Sequence, residues 1–150
     1  MDKAFPFRAA GVAALILIAT TVTGTASAQA IAANALSSVA SEADREALAN
    51  ISISDDQLTI PALSRHYLIT LHAYASGNGG GDNSTADLKL YVNEGLAASR
   101  HDQRFNSYTL DIRHSFVSST LQPTKARYVH TNHIAAETAT GLEVVDIKPI

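Results

Sequence analysis

Apolar and polar residues alternate with a period of two along most of the chain after Asn50, which is the spacing of half-buried β-strands. The clearest apolar row comprises Ala86, Leu88, Leu90 and Val92. Two more rows comprise Tyr67, Ile69, Leu71 and Ala73, and Tyr108, Leu110, Ile112, His114 and Phe116. Shorter alternating stretches lie at 51–54, 57–60, 126–131 and 142–147. About seven short strands, separated by turns that contain Gly, Asn, Asp or Pro, predict an all-β protein: an antiparallel β-sandwich, with the jelly roll as its favoured form.

The stretch 29–50 differs in composition, because it is rich in Ala and Ser and its apolar residues are sparse. Ser41 is a good helix N-cap, and the acids that follow it suit the first turn of a helix. We therefore expect a flexible extension with a short helix, followed by a sandwich domain over 51–150. A trimerising stalk is the alternative for the extension.

Residues 1–28 have the three parts of a secretory signal peptide. Lys3 and Arg8 give a positive start, an uncharged apolar stretch follows from Ala9 to Gly24, and the small residues Ala26–Ala28 form the cleavage pattern. The pattern predicts cleavage after Ala28 and a secreted or periplasmic protein. An uncleaved anchor is the alternative, although the apolar stretch of about 16 residues is near the lower limit for spanning a membrane.

The charge and the cysteine content narrow the class of protein further. The segment 1–28 contains Asp2, Lys3 and Arg8, so the formal net charge changes from −3 for the full chain to −4 for residues 29–150. A mildly acidic surface argues against nucleic acid as a partner, and against a membrane once the signal is removed. The chain has no cysteine, so its stability must come from the core, from oligomerisation or from a ligand. An exported protein without disulfides is more typical of bacteria than of animals.

Three segments resemble the tumour necrosis factor-like jelly roll, the superfamily shared with complement-type globular heads and their bacterial relatives. The first is Leu58–Pro61 followed by Tyr67–Thr70, which is similar to an apolar strand, a turn and a tyrosine-led strand of the family. The second is Ala86–Gly95, which resembles a strand ending in a "-VNG-" hairpin. The third comprises Thr109–Leu121 with Pro123 and the closing strand Leu142–Val145.

This resemblance covers about 51–148, with some departures. The turn Ser64–His66 stands where the family usually has glycine, Gln122–Lys125 also lacks the family's glycine, and His114 lies on an otherwise apolar face. The resemblance implies a homotrimer with aromatic and aliphatic side chains packed along its axis. It also implies a recognition or structural role, with no characteristic chemistry and an unidentified protein or glycan as ligand.

Two groups of residues are candidates for binding a metal ion. The glycine-rich stretch 76–83 is expected to be a flexible loop, with a lone Ca²⁺ site formed by Asp82 and Asp87 as the alternative, because carboxylate oxygens suit that ion. His130 and His133 are three positions apart, which puts them on opposite faces of a regular strand. They converge on a transition metal only if the chain turns at Asn132.

Carbohydrate binding needs exposed aromatic rings, and the chain has no Trp. Of the five tyrosines, only Tyr74 and Tyr91 point away from the predicted core. They form a modest sugar platform if they lie on neighbouring strands of one sheet.

No nucleophile elbow, HExxH helix or phosphate-binding loop is present. Charged strand residues such as Asp111, Arg113 and Glu143 are interpreted as solvated cross-strand charges, and no catalytic residue and no cofactor is expected. The sequence predicts a non-enzymatic binding or structural module. The alternatives are a monomeric carbohydrate-binding sandwich and a secreted metal-binding protein.

Overall fold

The computed structural model describes residues 30–150, so the predicted signal peptide over 1–28 lies outside the described residues. A 3₁₀ helix covers Ala33–Ser38 and one α-helix, α1, covers Glu42–Ala49. Eight strands follow: β1 Ile53–Ser54, β2 Gln57–Ile60, β3 Tyr67–Asn78, β4 Thr85–Val92, β5 Gly95–Gln103, β6 Ser107–Val117, β7 Thr124–His133 and β8 Ala136–Pro149. Neither helix is long and apolar enough to cross a membrane.

The strands form two packed sheets, which confirms the predicted antiparallel β-sandwich. The five-stranded sheet has the order β1-β2-β7-β4-β5, and the three-stranded sheet has the order β6-β3-β8. The pairs are nested around the β4–β5 hairpin, because β3 pairs with β6 and β2 pairs with β7 outside it. This nested scheme is that of a jelly roll. The outermost pair of this scheme joins the N-terminal segment to β8. It is not an antiparallel ladder, because Ile31 meets Val144 of β8 in a single parallel bridge.

The predicted apolar rows form the interior of the sandwich. Leu88 and Leu90 of β4 are fully buried, as are Ile69 and Leu71 of β3, while the residues between them face outward. The strand missing from the sequence prediction is β5. It forms an edge of the larger sheet, and most of its residues are exposed. Because neither face of β5 is deeply buried, its sequence carries no alternation to detect.

The hairpin between β4 and β5 turns at Asn93 and Glu94, which both have positive φ, and Gly95 is the first residue of β5. Positive φ at both central residues is the mark of the type I′ turn that joins twisted strands. A hairpin thus lies at the end of the segment Ala86–Gly95, as the sequence predicts.

The expectation of a flexible N-terminal extension is wrong for the part that the structure describes. Ala30, Ile31, Val39 and Leu48 are at most 4 % exposed and belong to the same hydrophobic core as the strands. The short helix predicted after Ser41 is present, and the Ser41 hydroxyl accepts a hydrogen bond from a backbone N–H in its first turn. The sandwich is thus completed by residues that precede position 51.

A buried carboxylate attaches the helix to the sandwich. Asp44 of α1 is 3 % exposed and accepts three hydrogen bonds: from the Ser64 backbone N–H at 2.8 Å, the Ser64 hydroxyl at 2.6 Å and the Tyr67 hydroxyl at 2.7 Å. Burial raises the pKa of Asp44, but the bonds from Ser64 and Tyr67, together with the charge of Arg65, outweigh burial and lower the pKa below its usual value. Burial and the adjacent carboxylate raise the pKa of Tyr67 to about 12.

Candidate functional site

A groove of about 330 Å³ lies on the outward face of the three-stranded sheet. All three strands contribute to it, because β3 lies in the middle and β6 and β8 flank it. The lining residues are His72, Tyr74, Ala75, Ser76, Thr109, Asp111 and Glu143. The groove therefore combines a phenol ring, an imidazole, two carboxylates and two aliphatic hydroxyls, which are groups that bind polar ligands.

His72 is the centre of this groove. Its Nε2 lies 2.8 Å from Asp111 Oδ1 on β6, and its Nδ1 lies 3.3 Å from Glu143 Oε2 on β8. The His72 side chain is 17 % exposed, against 55 % for Asp111 and 36 % for Glu143. A neutral imidazole has one N–H and satisfies one carboxylate, whereas the imidazolium satisfies both. Both ring nitrogens are thus held by acidic neighbours from opposite sides.

Tyr74 forms the other major wall, and a glycine makes room for its ring. Tyr74 on β3 pairs with Gly141 on β8, and a Cβ added to Gly141 would lie 2.3 Å from the Tyr74 hydroxyl oxygen. The ring therefore lies across the glycine, where a side chain on β8 would otherwise stand. The centroid of the ring is 5.3 Å from that of His72.

The two ends of the outward face differ in polarity. Beyond Tyr74, the Ser76 hydroxyl is 2.9 Å from the Thr138 hydroxyl. At the other end, Leu68 and Val117 are partners in the β3–β6 register and are 36 % and 55 % exposed. The outward face thus passes from a hydroxyl-rich end, through the charged groove, to a small apolar patch.

A larger cleft of about 670 Å³ lies between the end of α1 and the β1–β2 hairpin. Its lining is Ala47, Asn50, Ile51, Ser52, Ser54, Asp55, Gln57, Thr59 and Pro61. Asp55 is the one ionisable group in this set, and no aromatic ring is included. The cleft therefore offers less specific chemistry than the groove around His72, despite its greater volume.

The predicted sugar platform of Tyr74 and Tyr91 is wrong, because the two tyrosines lie in different sheets. Tyr91 is on β4 of the five-stranded sheet, and the Arg127 guanidinium covers its ring at 4.1 Å from the centroid. Arg127 also pairs with Glu94 at 3.2 Å. Both tyrosines are more exposed than the other three, as expected, and Tyr74 lines the groove around His72.

The structure does not bring the candidate metal ligands together. β7 continues through Asn132 without a turn, so His130 points into the sandwich and His133 away from it. The Tyr108 hydroxyl lies 2.8 Å from His130 Nε2, and Glu137 lies 3.8 Å from the other ring nitrogen. Among residues 30–150, no group of three His, Cys, Asp or Glu side chains is arranged to hold a metal ion.

The alternative Ca²⁺ site is not assembled either. Asp87 faces outward on β4 and is 2.8 Å from His101 on β5, while Asp82 lies in the turn before β4. Gly80 packs on the neighbouring loop so closely that a Cβ there would meet the Phe105 carbonyl oxygen at 2.0 Å. The expected flexible loop over 76–83 is thus wrong in part: residues 76–78 belong to β3, and Gly80 is held by close packing of two loops, whereas Gly79 and Gly81 have positive φ and open space around them.

Sequence reasoning missed the contact of His72 with Asp111 and Glu143. The alternation correctly placed all three on outward faces, but the strand order and register decide which outward residues meet. A search of family models, curated proteins and solved structures found no match to this chain.

Proposed function

We propose that this chain is an exported, non-enzymatic binding module that holds a carbohydrate in the groove around His72 and Tyr74. The observation that carries this proposal is the combination of one outward tyrosine ring with two carboxylates in a single depression. Aromatic rings stack on the C–H faces of sugars, and carboxylate oxygens accept hydrogen bonds from sugar hydroxyls. The hydroxyls of Ser76 and Thr109 extend the polar lining.

The arrangement of His72 favours binding over catalysis. A histidine that activates a nucleophile uses one ring nitrogen for an orienting carboxylate and the other for the nucleophile. Both nitrogens of His72 face carboxylates, and the Ser76 hydroxyl of the groove is engaged by Thr138. The cluster is suited to rigid presentation of its acidic groups.

The test is affinity electrophoresis through gels that contain soluble polysaccharides. We expect the protein to be retarded by at least one polysaccharide, Tyr74→Ala to lose this retardation and Tyr91→Ala to keep it. Tyr91→Ala is a matched control, because it removes an outward tyrosine from the other sheet. Equal retardation of both variants, or no retardation of the wild type by any polysaccharide, would refute the proposal.

Assembly as a homotrimer is a second candidate role, favoured by the exposed pair Leu68 and Val117 on the same face. A cysteine-free domain also gains stability from subunit burial. Light scattering of residues 29–150 across a roughly hundredfold dilution tests this role. A constant mass of three chains supports assembly, and a single-chain mass at every concentration contradicts it.

Export rests on the pattern of residues 1–28. Expression of the full chain in a bacterium, followed by mass spectrometry of the periplasmic and medium fractions, tests it. A product that begins at Gln29 supports the proposed export. A product that retains residues 1–28 and sediments with membranes contradicts it.

A further inference from the structure

The groove presents hydrogen-bond acceptors, whereas its N–H donors are already used. Both ring nitrogens of His72 are directed at carboxylates. Each carboxylate uses one oxygen for this contact, which leaves Asp111 Oδ2 and Glu143 Oε1 without a protein partner among residues 30–150. The Tyr74 hydroxyl likewise has no partner in that part of the chain. The Tyr74 hydroxyl can donate or accept, but a ligand that matches the two carboxylate oxygens must supply donors.

The charge of the groove also favours a ligand that is a hydrogen-bond donor, because it favours a cation. Two carboxylates and one imidazole leave the lining negative in either protonation state of His72. Arg113 is the β6 residue paired with His72, but its side chain is not part of the lining. Asp146 and Lys148, farther along the face, lie 3.3 Å apart and offset each other.

We propose that the ligand of this groove carries a primary ammonium group, which donates to the free carboxylate oxygens of Asp111 and Glu143 beside the ring of Tyr74. This inference rests on the proposed function and names the chemical class of its ligand. An ammonium group has three donors and no acceptor, so it matches the free carboxylate oxygens. Charge-assisted hydrogen bonds are stronger than neutral ones, and the face of Tyr74 adds a cation–π attraction.

An amino sugar and an aliphatic polyamine share this chemistry. Isothermal titration calorimetry of the full folded protein at low salt separates them with three probes: a glucosamine tetramer, its fully N-acetylated counterpart and spermidine. The two tetramers have the same backbone and differ in whether the nitrogen is charged.

We expect the glucosamine tetramer to bind at least about tenfold more tightly than the acetylated tetramer. Asp111→Asn and Glu143→Gln should each remove most of this preference, because each replaces a charged acceptor by a neutral amide. Asp87→Asn is the matched control, since Asp87 makes the same 2.8 Å contact with a histidine on the opposite face. Added salt should weaken binding of the charged tetramer selectively.

The outcomes separate the two proposals. If both tetramers bind equally and Tyr74→Ala abolishes both, the groove binds sugars and the ammonium inference is wrong. If spermidine binds in an Asp111-dependent way and neither tetramer does, the ammonium inference holds and the carbohydrate proposal is wrong. If none of the three probes binds, or if Asp87→Asn weakens binding as much as Asp111→Asn, the ammonium inference is overturned.

Discussion

Replacing Asp44 by Ala should destabilise the whole sandwich, although Asp44 lies outside the sheets. The carboxylate connects α1 to the core by accepting hydrogen bonds from Ser64 and Tyr67. Removing it leaves the Ser64 N–H and the Tyr67 O–H without their acceptor. The hydroxyl of Tyr67 is the more costly to leave unpaired, because Tyr67 is 1 % exposed.

The expected magnitude follows from these lost bonds. Leaving a buried polar group unpaired costs about 1–3 kcal/mol, and a hydrogen bond to a charged group contributes about 1.5–3 kcal/mol. We expect the free energy of unfolding to fall by about 3–5 kcal/mol, which corresponds to a decrease in melting temperature of roughly 10–20 °C. Loss of α1 docking would also expose part of the core around Leu48.

Urea and thermal unfolding followed by circular dichroism measure this effect. Glu46→Ala on the exposed side of α1 is the control and should change the free energy of unfolding by less than about 0.5 kcal/mol. A double-mutant cycle with Tyr67→Phe should show a coupling between Asp44 and Tyr67 of at least about 1 kcal/mol. If Asp44→Ala and Glu46→Ala were equally stable, Asp44 would not attach the helix.

The free energy of unfolding should decrease both in acid, through Asp44, and in base, through Tyr67. The pKa of Asp44 is lowered by folding, so its contribution to stability is present above the unfolded value near 3.9 and is lost as pH falls through the folded value. The pKa of Tyr67 is raised to about 12, so its contribution is present below the unfolded value of about 10 and is lost between about 10 and 12. Asp44→Ala should flatten the acid limb of a stability–pH curve; an unchanged acid limb would contradict the assignment.

Three further substitutions test the fold and the groove. Leu90→Asp places an unpaired charge at a fully buried position and should prevent folding, and a soluble variant with an unchanged melting curve would contradict the assigned face. Gly141→Ala should fold but displace the Tyr74 ring, so it should lose polysaccharide retardation while keeping the wild-type circular dichroism spectrum. Ser41→Ala should cost about 1 kcal/mol in urea unfolding through loss of the helix cap, and no measurable change would refute that role.

The sequence predicted the fold class because alternation depends on local burial. Leu90 and Ile112 are fully buried and belong to rows that the period of two identified without any knowledge of their neighbours. Gly95–Gln103 was missed for the converse reason, since an exposed edge strand need not alternate. The docking of Ile31 on Val144 was also out of reach, because sparse apolar residues do not indicate what they pack against.

The candidate site was harder to predict, because it depends on register. The sequence alone indicates that Asp111 and Glu143 are ordinary cross-strand charges. In the structure, His72 lies between them and contacts both carboxylates. Gly141 gave no signal at all, although its missing side chain makes room for Tyr74. The prediction that Tyr74 points outward was correct, whereas its expected neighbour Tyr91 belongs to the other sheet.

The nested pairing of the strands also determines the order in which the chain can fold. The β4–β5 hairpin joins neighbours in sequence, but Ser38 contacts the backbone of Ile147, which is 109 positions away. Each outer pair must close a longer loop than the pair inside it, so folding should be slow and should proceed outward from the central hairpin. The N-terminal segment packs against the last strand, so a chain released before Ile147 is available cannot bury that segment in the same way. Assembly of the native state therefore awaits synthesis of β8.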